Sequence, residues 1–273
     1  MLNGLLDPKI DFVFKKIFGS EKHPKILISF LNATMKPENP IVRVEIKNTD
    51  IEKHFLEDKF SRLDVRAQTD KKEIINIEIQ LKNEYNMIKR SLYYWSKLYE
   101  EQLGEGENYT KLKRTVCINI LNFKYLKNKR FHNGYRLKER ETNEELTDVI
   151  ELHFIEIPKL EENSDEKDML VAWTEFLKNP ESQIVRELEM SIDEIREAKD
   201  ELIRLSNDKE ERAIYEMRSK ILKDKESALN KAKEEGEILK ATEIAKNLLD
   251  ILDDETISKK TGLTVEEVRE LRI

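Results

Sequence analysis

The segment from residue 60 to residue 81 limits the possible folds of this chain most strongly. It reads FSRLDVRAQTDKKEIINIEIQL. Two runs in which apolar and polar residues alternate, 60–67 and 73–81, flank the polar, turn-like stretch 69–72. Such alternation is typical of strands, because successive side chains of a strand point to opposite faces of the sheet. The two runs are therefore predicted to pair as an antiparallel hairpin.

The register of this hairpin decides which side chains meet. Asp64 and Glu78 lie symmetrically about residue 71, so a three- or five-residue loop centred there places them directly opposite each other. Their Cβ atoms would be about 4.5–5.5 Å apart, where two carboxylates repel. A divalent cation relieves this repulsion, and Gln80, on the same strand face as Glu78, is placed to orient an attacking water. The competing interpretation is a surface ion-pair ladder, because Arg62 and Arg66 flank Asp64.

The rest of the pattern predicts a mixed α/β domain followed by helices. Helices are predicted over 7–18, 23–35 and 86–102, and further strands over 41–46, 115–123 and 149–157. The almost unbroken apolar run 115–123 favours a central position in the sheet. Beyond residue 165 the chain is rich in Glu, Lys, Arg and Leu, with Pro180 and Gly236 as the strong punctuation before Gly262. This composition indicates long amphipathic helices.

These patterns suggest three parts: an α/β domain over 1–158, a helical extension over 159–235 and a small helical tail over 236–273. The extension is interpreted as a coiled coil or dimerisation region, and its helices over 186–235 fit a dimer seam or an intramolecular bundle equally well. Residues 257–268 of the tail resemble a helix-turn-helix. The acidic residues Glu266, Glu267 and Glu270 disfavour insertion into a DNA groove, so a protein-contact or oligomerisation role is preferred.

Charge and composition restrict the class of protein. The net charge of −7 argues against nucleic-acid binding, yet residues 111–140 carry ten basic residues against one acidic residue, interleaved with aromatic rings. This stretch is either a phosphate-binding surface or a solvated loop. No run approaches the roughly 18 apolar residues that cross a bilayer, and the charged residues of 1–18 do not fit a signal peptide. One Cys and four His argue against disulfides and structural zinc, so a soluble, cytoplasmic protein is expected.

Several segments together resemble a known nuclease family. A strand Asp, a short turn and a strand reading Glu-x-Gln or Glu-x-Lys is the signature of the PD-(D/E)XK nuclease superfamily, and Asp64, Glu78 and Gln80 match it. The wider match is to the recombination-promoting nucleases, also described as PD-(D/E)XK transposases. The segments that carry it are DPKIDFVFKKIFGSE, RLDVRA, NIEIQL, RSLYYWSKLYEEQL, KEEGE and TGLTVEEVREL.

The resemblance implies a restriction-endonuclease-like α/β fold, in which helices flank a mixed sheet, followed by an all-α C-terminal region. It implies a magnesium-dependent endonuclease, with Mn²⁺ as a substitute, that hydrolyses DNA phosphodiester bonds in recombination or mobile-element biology. Asp64, Glu78 and the main-chain carbonyl of Ile79 would bind the metal. A homo-oligomer, a dimer formed through the helical C-terminal half, is the expected assembly, and no membrane partner is expected.

The resemblance also assigns roles to residues around the metal ligands. Gln80 takes the place of the superfamily lysine and brings no positive charge, so Lys82 is an alternative for that role. Asp11 matches an acidic position on the first helix of the family and either supports the metal through water or faces solvent beside Lys15. At the start of the helix over 86–102, Arg90 and its neighbour Lys89 are placed to reach a phosphate, or lie in a solvated helix start.

Two other functions compete with the nuclease. The chain fits a catalytically weak relative that binds nucleic acid or a partner protein, because Gln80 departs from the superfamily lysine and the net charge is acidic. It also fits a regulatory or assembly module in which the helical half acts and the α/β domain is the scaffold. Among the aromatic residues, Tyr93 and Tyr94 are candidates for base stacking, whereas Trp95 and Tyr99 are expected in the core.

Overall fold

Six strands form one mixed sheet in the residues that the computed structural model describes, 4–47, 64–83, 85–161, 164 and 168–272. The strands are β1 (Val44–Lys47), β2 (Val65–Thr69), β3 (Ile74–Gln80), β4 (Thr115–Leu121), β5 (His132–Lys138) and β6 (Glu145–Glu156). Their spatial order is β1-β2-β3-β4-β6-β5. The neighbours β3, β4 and β6 run parallel, and the other pairs are antiparallel. The predicted mixed sheet is therefore confirmed.

The helices are α1 (Asp11–Phe18), α2 (Pro24–Met35), α3 (Met87–Glu100), α4 (Met169–Lys178), α5 (Gln183–Ser191), α6 (Asp193–Asn207), α7 (Lys209–Leu248), α8 (Asp254–Thr261) and α9 (Val265–Glu270). Two of them show why they begin where they do. Pro24 opens α2, a position where a helix needs no N–H from the first residue. Asp168 caps α4 by accepting a hydrogen bond from the amide of Leu170.

The centre of the sheet is buried on both faces because helices cover the parallel strands on both sides. Every residue of β4 is buried, which confirms the central position predicted for it. On one face, α3 packs through Met87, Tyr94 and Leu98 against an apolar surface that includes Ile74 and Cys117. On the opposite face, Gly19 at the end of α1 approaches Val65, and aromatic rings of α1, α2 and α4 pack together.

The structure corrects four element predictions. Strand β5 was missed, because its sequence HNGYRLK is polar and lies at the edge of the sheet, where apolar alternation is weak. Strand β6 begins at Glu145 instead of Val149, and α1 begins at Asp11 instead of Asp7. Helix α7 continues through Gly236, so the predicted break there is wrong. Residues 60–63 of the predicted first run of the hairpin lie outside the described residues.

The chain forms two compact units, with the boundary between Tyr215 and Glu216. In the first unit the start of the chain is attached to residues about 200 positions later. The amide of Leu6 donates to the hydroxyl of Ser206 at 3.0 Å, and Lys16 pairs with Glu211 at 2.8 Å. Helix α1 is therefore held in place by α6 and the beginning of α7.

The second unit contains the remainder of α7 together with α8 and α9. A small core of Ala245, Ile257, Leu263 and Val268 joins these helices. Gly262 ends α8 in the left-handed conformation, with φ of 81°, which glycine adopts at low cost. The predicted division of the chain at residues 158 and 235 stays a prediction. No described helix is both long enough and apolar enough to span a bilayer.

Candidate active site

The β2–β3 hairpin brings two carboxylates together. Val65 pairs with Ile77 and Gln68 with Ile74, and this register extends to place Asp64 opposite Glu78. The amide of Lys72 donates to the carbonyl of Thr69 at 2.9 Å. The predicted register about residue 71 is thus confirmed, and its cause is local, since the hydrophobic pattern and the short turn fix it together.

Hydrogen bonds hold the two carboxylates in this arrangement. The amide of Ile79 donates to Oδ2 of Asp64 at 2.8 Å, and the amide of Asp64 donates to Oε1 of Glu78 at 3.4 Å. Each acid is therefore oriented by backbone of the opposite side of the hairpin. In a strand the N–H and C=O of one residue point to the same side, so the carbonyl of Ile79 also points towards the Asp64 side.

Neighbouring positive charges do not fully balance the negative charges of Asp64 and Glu78. Burial raises the pKa of Asp64 to about 6, although the hydrogen bond from Ile79 opposes the rise. Burial and the charge of Asp64 together raise the pKa of Glu78 to about 8. Glu78 is only 3% exposed, so water does little to stabilise its charge. The pair therefore favours a bound cation or a bound proton.

Two helices bring further charged groups to the pair. From α3, Arg90 lies with one guanidinium nitrogen 3.8 Å from Oε2 of Glu78 and lowers the pKa of both acids. From α1, the charge of Asp11 raises the pKa of Asp64, and that of Lys15 lowers it. Asp11 and Arg90, both singled out from the sequence, thus act on the carboxylate pair electrostatically.

The donor set fits a hard divalent cation. Two carboxylates facing each other and a nearby main-chain carbonyl are oxygen ligands, which Mg²⁺ prefers while it keeps several waters. The raised pKa values of Asp64 and Glu78 show that the neighbouring cations do not neutralise the pair fully. Among the described residues, no group of three or more His, Cys, Asp or Glu side chains is arranged to hold a metal.

The residues predicted to stand in for the superfamily lysine lie at the end of β3. Gln80 is the last residue of the strand, is half-buried, and shares the Glu78 face through the alternation of the strand. Lys82 follows two residues later, and its Nζ is buried. The strand geometry therefore holds Gln80 more firmly with respect to Glu78 than it holds Lys82.

A group of buried polar side chains next to Glu78 was not predicted from the sequence. Asn76 makes a side-chain hydrogen bond to Glu78, and Asn119 of β4 is the register partner of Glu78. Ser91 of α3 donates to Oδ1 of Asn119 at 2.7 Å, and Asn119 donates to the carbonyl of His153 at 3.1 Å. A sequence signal existed, because Asn76 and Asn119 each interrupt a run of isoleucines.

Other predicted residues have different surroundings. Arg66 pairs with Glu101 at 3.0 Å, which contradicts the ion-pair ladder for Arg66, while Arg62 lies outside the described residues. Trp95 stacks on Tyr99 with ring centroids 4.8 Å apart, and both are half-buried, with Trp95 packed against the core beneath α3. The other residues of α3 that were predicted to contact a base or a phosphate differ in their exposure to solvent. Tyr94 is buried, whereas Tyr93 and Lys89 are exposed.

A second buried network lies on the opposite face of the sheet. Glu151 accepts hydrogen bonds from Arg114 and Arg136 and lies 2.6 Å from Nε2 of His153, whose Nδ1 is 2.9 Å from His132. Burial by itself would raise the pKa of Glu151, but His153 and Arg114 outweigh it and lower the pKa to about 2. Burial and the charge of His153 lower the pKa of His132 to about 4. The sequence assigned these histidines no role, and here they join β5 to β6.

The family model described as PD-(D/E)XK nuclease family transposase matches residues 8–232. That match includes the hairpin, α1 and α3. No curated protein and no solved structure matched the chain.

Proposed function

Because the chain belongs to the PD-(D/E)XK nuclease family transposases, we propose that it is a magnesium-dependent endonuclease that hydrolyses DNA phosphodiester bonds. The observation that carries the proposal is the pairing of Asp64 with Glu78, buried in register on one hairpin and deficient in positive charge. Two such acids are costly to bury unless they serve a cation, so their presence is better explained by metal binding than by stability.

The hairpin residues would act in distinct roles. Asp64, Glu78 and the carbonyl of Ile79 would hold the metal, with Mn²⁺ able to replace Mg²⁺. When bound, the ion polarises the scissile phosphate and lowers the pKa of a bound water. Gln80 would orient the attacking water from its position next to Glu78 on the same strand face. Asp11 would hold a water in the outer coordination sphere of the metal.

Arg90 would act on the phosphate. Its guanidinium lies near Glu78 and stacks over the ring of Tyr94 at 5.4 Å, which limits its freedom. A cation held beside the metal site stabilises the negative charge that develops on the phosphate during hydrolysis. Arg90 therefore supplies the positive charge that Gln80, in the place of the superfamily lysine, does not.

A second candidate function is a catalytically weak relative that binds nucleic acid or a partner protein. Gln80 in the place of the superfamily lysine favours it. The two candidates differ in whether metal ions accelerate cleavage. The cytoplasmic location, the role in recombination or mobile-element biology, and the dimer through the helical half belong to the same proposal.

The test is cleavage of supercoiled plasmid with Mg²⁺ or Mn²⁺ by the full chain and by Asp64→Asn and Glu78→Gln. We expect both variants to lose metal-dependent nicking while they remain folded. The matched control is Asp70→Asn, an exposed acid in the turn of the same hairpin. Equal nicking by the native protein and the two site variants would contradict the assignment. Metal-independent DNA binding without nicking would favour the weak relative.

A further inference from the structure

A cleft of about 510 Å³ lies between the hairpin and the end of α3. Its walls come from three places: β1 and β2, the hairpin turn, and the segment that follows α3. Its charged lining residues are Lys47, Arg66, Lys72, Glu101, Lys111 and Lys113. Lys111 and Lys113 open the basic stretch 111–140 of the sequence.

The cleft is cationic, although Lys47 pairs with Glu45 and Lys111 with Glu107. Five of its lining residues are Lys or Arg, and Glu101 is the acid among them. Glu101 already pairs with Arg66, and Nε of Arg66 is buried without a hydrogen-bond partner among the described residues. Lys72 and Lys113 have no ion pair with any described residue. The cleft therefore retains uncompensated positive charge, although the protein as a whole is acidic.

The cleft lies on the same face of the sheet as the carboxylate pair. Arg66 and Gln68 follow Asp64 at intervals of two along the chain, and Lys47 is the register partner of Arg66. Residues two apart on one strand face are separated by about 7 Å. Arg66 is therefore about 7 Å from Asp64 along the strand, and Gln68 is about 14 Å from Asp64. These distances correspond to about two and about four nucleotides of rise along a duplex.

The lining also indicates which part of a nucleic acid would fit. The described residues that line the cleft include no aromatic ring, so these residues offer a base nothing to stack on. Their lysines on flexible stems and planar guanidinium suit phosphate oxygens instead.

We propose that this cleft binds backbone phosphates of the DNA strand whose scissile phosphate lies at Asp64 and Glu78. This inference rests on the proposed nuclease function and adds the direction in which the strand runs, from the carboxylates along β2 towards the hairpin turn. The contact is to the backbone and reads no base, so it contributes affinity and placement but not sequence preference.

The experiment measures equilibrium binding of a labelled DNA duplex to the full chain in EDTA, by fluorescence anisotropy over a range of salt concentrations. The variant is Lys72→Gln with Lys113→Gln, two exposed side chains whose loss should not disturb folding. The matched control is Lys22→Gln with Lys25→Gln, which removes the same charge from exposed positions outside both the cleft and the basic stretch 111–140. We expect the cleft variant to bind about tenfold more weakly at low salt, with a salt slope lower by about two.

Equal effects of the cleft variant and the control would overturn the proposal, since only net charge would then matter. Binding of inorganic tripolyphosphate, measured by calorimetry, gives a second arm. If the cleft variant weakens tripolyphosphate binding and leaves DNA binding unchanged, the cleft takes a small anion and the inference is wrong. Because binding is measured without metal, its result is independent of plasmid cleavage, so failure of the cleft and failure of the nuclease assignment can be told apart.

Discussion

At the scale of single residues, the two buried acids Asp64 and Glu78 favour the proposed metal binding at a cost in the stability of the fold. Their folded-state pKa values lie above the ordinary values of 3.8 and 4.5. Between about pH 4 and pH 8 the folded protein therefore holds more protons than the unfolded chain. Stability contributed by these protonated acids is complete at low pH and is lost as the pH rises through the folded-state values.

We therefore expect the metal-free protein to become less stable from pH 5 to pH 8, by on the order of a few kcal/mol. Glu78→Gln, which cannot ionise, should flatten this dependence. Urea unfolding in EDTA at both pH values measures the effect, with the exposed Glu38→Gln as control. A variant that keeps the native pH dependence would show that Glu78 is ionised at no cost in the fold.

Gln80 offers a second prediction at this scale. Gln80→Ala should lower metal-dependent plasmid cleavage on the order of 10- to 100-fold, the loss expected when one hydrogen bond to the attacking water disappears. Lys82→Ala should lower it less, because Lys82 follows the end of the strand. The reverse order of the two effects would assign the superfamily lysine role to Lys82.

At the scale of elements, the position of α3 decides how Arg90 meets the hairpin. Ser91, the residue after Arg90, donates to Asn119 inside the sheet at 2.7 Å, so it anchors the helix beside the site. Loss of this hydroxyl leaves the buried Oδ1 of Asn119 without its donor. The orientation of α3 thus depends on one buried polar contact as well as on apolar packing.

Ser91→Ala should destabilise the first unit by about 1–3 kcal/mol, the cost of a buried acceptor left without a donor. The control is Ser96→Ala on the same helix, whose hydroxyl is exposed and donates to the carbonyl of Tyr93. That change should stay within about 0.5 kcal/mol. Urea unfolding compares them, and equal effects would mean that Asn119 finds another partner.

The elements also show what the sequence can predict and what it cannot. The β2–β3 hairpin was predictable down to its register, because alternation and a short turn are local signals. Strand β5 was not predictable, since its pairing with β6 depends on contacts between residues that are not neighbours in sequence, such as that of His132 with His153. Helix α7 passes through Gly236 because the residues around it favour helix strongly enough to outweigh one glycine. The carboxylate pair was therefore foreseeable, whereas Asn76, Asn119 and the cleft required the assembled sheet.

At the scale of the whole molecule, three of the exposed apolar residues of α7 lie on one side of the helix. Ile221 is 58% exposed and Leu239 is 70% exposed, and Met217 lies one turn before Ile221. Their spacing places all three within about 40° around the helix axis. Helices α5 and α6 pack against each other inside the first unit, so Met217 and Ile221 are exposed apolar residues that remain in the seam predicted over 186–235, and Leu239 lies just beyond it.

We expect the full chain to sediment as a dimer, and Ile221→Asp with Leu239→Asp to sediment as a monomer, because a charge in an apolar seam is costly. The control, Ile251→Asp, changes another exposed isoleucine of the second unit that lies outside α7. A native chain that sediments as a monomer would contradict the dimer. A dimer that survives the double change would place the seam elsewhere.

The attachment of Leu6 to Ser206 and of Lys16 to Glu211 also has a consequence for synthesis on the ribosome. The helix that carries Asp11 and Lys15 does not gain these contacts until more than 200 residues of chain have been made. Contacts so far apart in sequence form late, because the intervening loop must close first. A nascent chain that already contains Asp64 and Glu78 therefore still lacks part of their surroundings, and we expect the carboxylate pair to reach its native arrangement only after residue 211 has been made.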